Sequence, residues 1–164
     1  MRLNDIKILM EAEVDWEEEN QKTLDKTGFW GKQGAGCIIM AQSTKRILLP
    51  HRSRHVEQPN TWGVWGGAID GDISPEQAVK QEVSEEAGYH GPLKLFPLYV
   101  FKSGTFTYYN FLAVVKDEFK PTLNWETQGY KWVDYGDWPS PLHFGLENVL
   151  KDSESIKTIT SLLK

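Results

Sequence analysis

One helix is marked at both of its ends in this sequence, and it constrains the fold more than any other segment. Ser74 is a preferred N-cap residue, Pro75 suits the first helical position, and Gln77 stands where a capping box needs Glu or Gln. Gly88 supplies the left-handed residue that commonly follows a helix end. The sequence therefore predicts a helix over Ser74–Ala87.

Short runs rich in β-forming residues lie on both sides of this helix. Before it, the predicted strands are Cys37–Met40, Arg46–Leu49 and Trp62–Trp65. After it, the predicted elements are strands at Leu93–Lys102, Thr105–Val115 and Tyr130–Asp134 and helices at Leu142–Lys151 and Ser153–Leu163. Residues 1–30 fit either a helix or an edge segment. Strands on both sides of a central helix predict an α+β fold or a layered α/β/α fold.

Length and composition predict one compact domain over residues 1–164, since 40% of the residues are hydrophobic and a chain of this size builds a core without disulfides. The chain contains one cysteine, Cys37, inside the apolar run Cys37–Met40. We expect a buried, inert thiol there rather than a nucleophile, because free cysteine is among the most buried residue types. The expected outcome is a cysteine with a packing role.

The net charge of −5 argues against an extended surface for nucleic acid, since such surfaces depend on clustered Lys and Arg. A small anionic ligand would then need a local device, such as a bound cation or a few arginines. No stretch of the sequence approaches the roughly 20 apolar residues of a membrane span, and the N-terminus lacks the apolar run of a signal peptide. We expect a cytoplasmic protein without membrane contact. A homodimer is compatible with the sequence but is not indicated by it.

The predicted helix carries three carboxylates near its C-terminal end, Glu82, Glu85 and Glu86, spaced i, i+3 and i+4 on one face. The negative end of the helix dipole and the like charges both make this arrangement unfavourable. A solvated acidic face is the common interpretation of a Glu-rich helix. The alternative is a site for a hard divalent cation, and the preceding pair Gly66 and Gly67 at a predicted strand end favours it.

The segment Gly67–Tyr89 resembles the Nudix box, a long and specific motif. Its matching positions, each at the family's spacing, are Gly67, Glu82, Val83, Glu85, Glu86 and Gly88. The resemblance continues through the strand at Gly34–Met40, through Ile47–Leu49 and Arg52, and on to Trp132. The chain is therefore identified as similar to the Nudix hydrolases over most of its length.

Two positions depart from the family pattern. The first Glu of the box falls on Ile73, with Asp72 one residue early, and the box Arg is Gln81. In the family these two positions commonly form a structural ion pair, so losing both leaves no unpaired charge. We expect Asp72 to accept a hydrogen bond from Gln81 instead.

The resemblance implies an α/β/α sandwich with the box helix packed on a mixed sheet, forming one Nudix hydrolase domain over residues 1–164. It also implies Mg²⁺ or Mn²⁺, held by Glu82, Glu85, Glu86 and the carbonyl of Gly67. The implied reaction is attack of water on phosphorus, with Glu82, Glu86 and Glu126 as the catalytic carboxylates. Either Glu82 or Glu126 would act as the base.

Glu126 is the candidate because family members often add a carboxylate a few residues ahead of a Trp, here Trp132. An ordinary loop glutamate is the equal alternative, and Asp117, Glu118 and Asp134 are competing acids. Arg52 is expected to contact substrate phosphate or to form a structural ion pair. For its basic neighbours a solvated loop is favoured: His51, Arg54 and His55.

Trp62 and Trp65 are candidates for stacking on a substrate base, although aromatic residues at strand spacing are more often part of the core. The substrate is expected to be small and nucleotide-derived, such as an NDP-sugar or ADP-ribose, with nucleoside triphosphates and dinucleoside polyphosphates as alternatives. A non-catalytic nucleotide sensor of the same fold is less favoured because the box carboxylates are present. Isomerase chemistry would need a cysteine in the pocket.

Overall fold

The computed structural model describes residues 33–164, so the helix or edge segment expected within residues 1–30 lies outside the described residues. Its strands are β1 Gln33–Ala41, β2 Ile47–Arg52, β3 Trp65–Ala68, β4 Lys94–Ser103, β5 Phe106–Val115 and β6 Thr127–Val133. Its helices are α1 Pro75–Ala87, α2 Phe144–Lys151 and α3 Ser153–Ser161. The predicted order of strands and helices is confirmed across this part of the chain.

The strands form one mixed sheet, in the order β4-β5-β1-β2-β6, with β3 also paired to β1. β1 runs parallel to β5 and antiparallel to β2 and β3. Residues 34–37 of β1 pair with β3, whereas Ile39 and Met40 pair with β2. The strand directly before α1 is thus held against the centre of the sheet.

Alternate residues of β1 face two separate cores, as the period-two geometry of a strand requires. Cys37 and Ile39 face the core that contains the apolar stripe of α1: Ala78, Val79, Val83 and Ala87. Ile38 and Met40 face the opposite core, which contains residues of α2 and α3: Leu146, Val149 and Ile159. Helices therefore cover both faces of the sheet, and the predicted α/β/α sandwich with the box helix packed on it is confirmed.

Both ends of α1 form as the sequence predicts. The Gln77 N–H donates to Ser74 Oγ at 3.1 Å, and the Ser74 N–H donates to Gln77 Oε1 at 3.0 Å, which completes the capping box. Gly88 adopts a left-handed conformation with φ of 67°, and its N–H donates to carbonyls of the last turn. These caps fix where the carboxylates of α1 stand along the helix.

The strand boundaries differ most from those predicted at four strands. β3 runs over Trp65–Ala68 instead of Trp62–Trp65, β1 begins at Gln33, β2 continues to Arg52, and β6 begins at Thr127. The glycines of β3 have low strand propensity, and pairing with β1 overrides that preference. Trp62 makes only isolated bridges with His51 and Leu142.

Cys37 is fully buried, and burial raises the pKa of its thiol. It lies in the core beneath α1, as predicted, and away from the solvent where a nucleophile would act. No helix within residues 33–164 is long and apolar enough to cross a membrane.

His143 is the N-cap of α2, and its Nδ1 accepts a hydrogen bond from the Gly145 N–H at 2.9 Å. That bond requires a neutral ring, and burial together with the nearby Arg52 lowers the pKa of His143 to about 3. Because an unfolded histidine has a pKa near ~6.5, the unfolded chain takes up this proton first as the pH falls. The His143 contribution to stability is therefore complete above about pH 6.5 and decreases below it.

We expect the His143→Asn variant, which keeps a good N-cap but cannot titrate, to be less sensitive to acid than the wild type. Between pH 7 and pH 5 the wild type should lose about 2 kcal/mol more free energy of unfolding than the variant. Urea unfolding of both proteins at the two pH values measures the difference. Equal losses of stability in the two proteins would mean that folding does not lower the pKa of His143.

Candidate active site

Two glycines of β3 bring its main chain unusually close to β1. Gly66 lies opposite Gly36, and Gly67 lies opposite Ala35. A Cβ atom on Gly66 would stand 2.4 Å from the Ala35 carbonyl oxygen and 2.5 Å from the Gly36 Cα, which is closer than such atoms approach. Only glycine fits at position 66, and the C-terminal end of α1 packs next to this strand.

Glu86 reaches from α1 to β3 and is 6% exposed. Its Oε2 accepts a hydrogen bond from the Gly66 N–H at 2.7 Å. Burial, Glu82 and Glu126 raise the pKa of Glu86 well above its usual value, and the Gly66 N–H and Arg52 oppose that rise. The three carboxylates predicted on one face of α1 therefore differ in their surroundings, because Glu86 is buried and bonded to the β3 main chain.

Glu82 lies one turn earlier on α1, and its Oε1 is 3.0 Å from the place that a Cβ on Gly67 would occupy. Burial, then repulsion from Glu85, Glu126 and Asp70, raises the pKa of Glu82 to about 7. Glu82 and Glu86 thus share a site next to the two glycines, as their spacing predicts. Their charges are unfavourable there without a counter-ion.

Glu85 stands at the outer side of this site and is exposed. Its Oε1 accepts a hydrogen bond from Gln81 Nε2 at 3.1 Å. The expected bond from Gln81 to Asp72 is therefore not formed, because the i,i+4 spacing on α1 brings Gln81 to Glu85 instead. Ile73, at the position of the missing box Glu, packs against the core beneath α1.

The Glu126 loop is fixed to the end of β2. The Ser53 N–H donates to the Glu126 carbonyl at 2.9 Å, and Gln128 Nε2 donates to the Arg52 carbonyl at 2.8 Å. This places Glu126 near enough to repel Glu82 and Glu86. Glu118, a competing candidate, instead forms a surface ion pair with Arg46 at 2.6 Å and accepts a hydrogen bond from Thr44.

Arg52 is partly buried beside the carboxylates, and burial lowers the pKa of its guanidinium. Its Nε donates to the Glu57 carbonyl at 3.0 Å, and its Nη2 donates to the same oxygen. Within residues 33–164 it forms no ion pair, so the predicted structural ion pair is absent from this part of the chain. Arg52 is anchored by a carbonyl and brings a positive charge to the site.

The two tryptophans proposed for base stacking differ in their burial. Trp65 is fully buried in the core beneath α1, and its Nε1 donates to the Leu48 carbonyl at 3.1 Å. Trp62 stacks on His51, with ring centroids 4.3 Å apart, and packs against the core on the α2 side. The prediction for Trp65 is wrong because its ring is enclosed in the core. Trp62 has one ring face against His51, and its stacking role stays a prediction.

A cavity of about 350 Å³ opens beside the carboxylates. Its polar wall contains Arg52, Gly66, Gly67 and Glu126. Its aromatic wall contains Phe101, Phe106, Tyr108, Trp125, His143 and Phe144. Trp125 is 68% exposed, so its ring is open to solvent and to any ligand near the cavity.

The sequence did not identify most of this aromatic wall. Its residues lie on β4, β5, the Glu126 loop and the start of α2, which are distant in sequence and meet only in the folded sheet. The period-two spacing of Phe106 and Tyr108 on β5 is the one signal that they share a face. Nothing in the sequence marks that face as open.

The site can be tested for its fit to a divalent cation. Among the described residues, no group of three or more His, Cys, Asp or Glu side chains is gathered closely enough to hold a metal ion. The chemistry of the donors nevertheless fits, because Glu82 and Glu86 are carboxylates held in or near the interior, and carboxylate oxygens are what Mg²⁺ and Mn²⁺ prefer. No Lys or Arg of residues 33–164 forms an ion pair with either of them. To bind a metal ion together, the side chains of Glu82, Glu85 and Glu86 would have to move closer to one another than they lie in this structure.

A family model described as the NUDIX domain matches residues 31–152. The chain belongs to the Nudix family. The resemblance found in the sequence is thereby confirmed.

Curated relatives match over shorter segments. The "Putative 8-oxo-dGTP diphosphatase 3" of Mycobacterium tuberculosis is 41% identical over 64 residues, which cover 37% of this chain and 30% of the relative. The human "Diphosphoinositol polyphosphate phosphohydrolase 2" is 36% identical over 73 residues, which cover 44% of this chain and 38% of the relative. The matched segments thus cover about a third of the length of these relatives.

Among solved structures, a Nudix hydrolase from M. smegmatis, RenU, is similar to this chain with a TM-score of 0.68. The alignment covers 83% of this chain and 90% of that protein, at 24% identity. At this identity the likeness shows the fold, and it agrees with the layered sheet described above.

Proposed function

We propose that this protein hydrolyses a phosphoanhydride bond in a nucleoside diphosphate linked to another moiety, in a metal-dependent reaction. The observation that carries the proposal is the buried Glu86, held by the Gly66 N–H beside Glu82 and next to the aromatic-walled cavity. Carboxylates at such a position serve little purpose for stability, since burial and mutual repulsion both disfavour their charges. They suit a site for a cation and a phosphate chain.

The proposed ligands of Mg²⁺ or Mn²⁺ are Glu82, Glu85, Glu86 and the Gly67 carbonyl. When bound, such an ion neutralises pyrophosphate oxygens and lowers the pKa of a coordinated water. Glu86 is positioned by the Gly66 N–H, and Glu85 is held by Gln81 at the solvent side of α1. Glu82 and Glu86 lie next to the glycine pair, and Glu85 lies near enough to Glu82 to raise its pKa.

Arg52 and Glu126 complete the proposed site from β2 and its neighbouring loop. Nε and Nη2 of Arg52 are engaged by the Glu57 carbonyl, which leaves Nη1 to donate to a phosphate oxygen. Glu126 lines the cavity and is not one of the proposed metal ligands, so its carboxylate can take the proton of the attacking water. We propose Glu126 as the base, with Glu82 as the alternative.

Two substrate types are compared by the products that they yield. The aromatic-walled cavity suits the base of a nucleotide substrate such as an NDP-sugar or ADP-ribose. Hydrolysis of such a substrate gives a nucleoside monophosphate and a sugar phosphate. Nucleoside triphosphates are the second candidate, because the mycobacterial relative is named as a diphosphatase of 8-oxo-dGTP. Their hydrolysis would give a nucleoside monophosphate and pyrophosphate.

The proposal is tested by incubating the purified protein with ADP-ribose, UDP-glucose, dGTP and diadenosine tetraphosphate. Each substrate is offered with Mg²⁺, with Mn²⁺ or with chelator, and products are separated by anion-exchange chromatography. We expect metal-dependent release of a nucleoside monophosphate from ADP-ribose or UDP-glucose and no release in chelator. Absence of metal-dependent turnover on every substrate would overturn the proposed function.

The Glu126→Gln variant is expected to reduce kcat by about a hundredfold or more and to change KM less than threefold, because a general base acts in the transition state. Steady-state kinetics on the preferred substrate measures both constants. Glu118→Gln is the matched control, since Glu118 binds Arg46 at the surface outside the cavity. A variant of Glu126 with raised KM and unchanged kcat would make this residue a binding group instead.

A further inference from the structure

One buried polar atom in the cavity wall has no hydrogen-bond partner. Asn110, on β5, is 3% exposed, and its Nδ2 donates to the Tyr99 carbonyl on β4 at 2.9 Å. Its Oδ1 is buried and unpartnered. The orientation of the amide follows from that bond, because a carbonyl oxygen accepts only from the NH₂ side. What Asn110 can offer a ligand is therefore its carbonyl oxygen.

The surroundings of Asn110 restrict what that ligand can be. Side chains at every second position of β5 share a face, so Asn110 lies on the same side as Phe106 and Tyr108, and all three line the cavity. Phe101 and Phe144 complete the wall. A flat apolar ring fits such a wall, and only a donor on its edge would satisfy the Asn110 oxygen. Ribose, with hydroxyls on all sides, fits it poorly.

We propose that Asn110 selects the nucleobase of the substrate, by accepting a hydrogen bond from an amino group on the edge of the base. This inference rests on the proposed function, since it assigns the base to the same cavity. An unsatisfied buried acceptor destabilises the empty protein, and a ligand that supplies the missing donor removes that cost. A base that presents no donor at the position of this amino group leaves the oxygen unpaired and binds more weakly.

The test compares pairs of nucleotides that differ at the base edge. They are AMP with purine ribonucleoside monophosphate, GMP with IMP, and CMP with UMP. Dissociation constants are measured by NMR titration in chelator, so that no turnover is required. We expect the wild type to bind the amino-bearing member at least tenfold more tightly in one or more pairs, and the preference to fall below threefold in Asn110→Leu.

The matched control is Asn148→Leu. Asn148, on α2, is likewise buried with an unpartnered atom, Nδ2, but it does not line the cavity. This variant should keep the full preference of the wild type. If Asn110→Leu prevents folding, Asn110→Ala removes the same oxygen with less bulk.

Two results would overturn the assignment: no preference in any pair for the wild type, or an unchanged preference after Asn110 is replaced. Both are read from binding alone. Failure of the proposed hydrolysis would instead appear as absent turnover in metal, with or without a base preference. The two failures are thus distinguishable.

Discussion

The Glu86→Gln variant is expected to lose at least about two orders of magnitude in turnover while its fold is retained. Glutamine has the same shape, and its Oε1 can still accept the Gly66 N–H bond that Glu86 makes at 2.7 Å. It lacks the negative charge with which Glu86 would hold a divalent cation. Steady-state kinetics with Mg²⁺ and with Mn²⁺ measures the loss.

The same substitution should stabilise the metal-free protein. Burial raises the pKa of Glu86 well above its usual 4.5, so at neutral pH the folded state is destabilised relative to the unfolded chain, in which this carboxylate ionises freely. Glutamine cannot ionise, so the variant avoids this loss of stability. A gain of 1 kcal/mol corresponds to about 2–4 °C in Tm for a chain of this size. Glu76→Gln, in the exposed first turn of α1, is the control and should leave turnover unchanged. Full activity in Glu86→Gln would contradict the metal assignment.

Gly66→Ala is expected to disrupt both stability and activity. Its methyl group would meet the Ala35 carbonyl oxygen at 2.4 Å and the Gly36 Cα at 2.5 Å, and both belong to the β1 main chain. The paired strands would have to separate, which would also displace the N–H that binds Glu86. We expect a loss on the order of 3 kcal/mol in the free energy of unfolding, at the upper end for overpacked sites.

Gly129→Ala provides the matched control for this effect. Gly129 also lies in a strand, β6, where an added Cβ would meet only the His51 Cβ at an ordinary 3.8 Å. Alanine there should be neutral or slightly stabilising, because it lowers the conformational entropy of the unfolded chain. Urea unfolding compares the two variants. Equal stability for both would mean that the contact of β1 with β3 is looser than described.

The predictable part of the fold consists of features that neighbouring residues determine. The capping box of Ser74 and Gln77 and the left-handed Gly88 are local signals, and the structure forms each of them. The position of β3 was not predictable, because Gly66 and Gly67 become a strand only through pairing with β1. Tertiary pairing overrides propensity at such positions.

The candidate site divides in the same way. The spacing of Glu82 and Glu86 on one helix predicts that they lie together, and they do. The burial of Glu86 depends on how α1 packs against β3, and the spacing of residues along the helix does not indicate that packing. The contact of Gln81 with Glu85 is a local i,i+4 contact within α1. Trp65 was misassigned because strand spacing alone does not indicate which aromatic side chains remain accessible to a ligand. The roles of all these residues in catalysis stay predictions.

The central claim, that the carboxylates of α1 form a cation site, is tested most directly by thermal melts with and without Mg²⁺ at constant ionic strength. Wild type, Glu86→Gln and Glu76→Gln are compared in chelator and in millimolar Mg²⁺. An ion that binds only the folded state at ten times its Kd stabilises it by about 1.4 kcal/mol. We predict a Tm gain of several degrees for wild type and Glu76→Gln, and less than half of that gain for Glu86→Gln. Equal gains in all three proteins would contradict the metal site and the hydrolase proposal that rests on it.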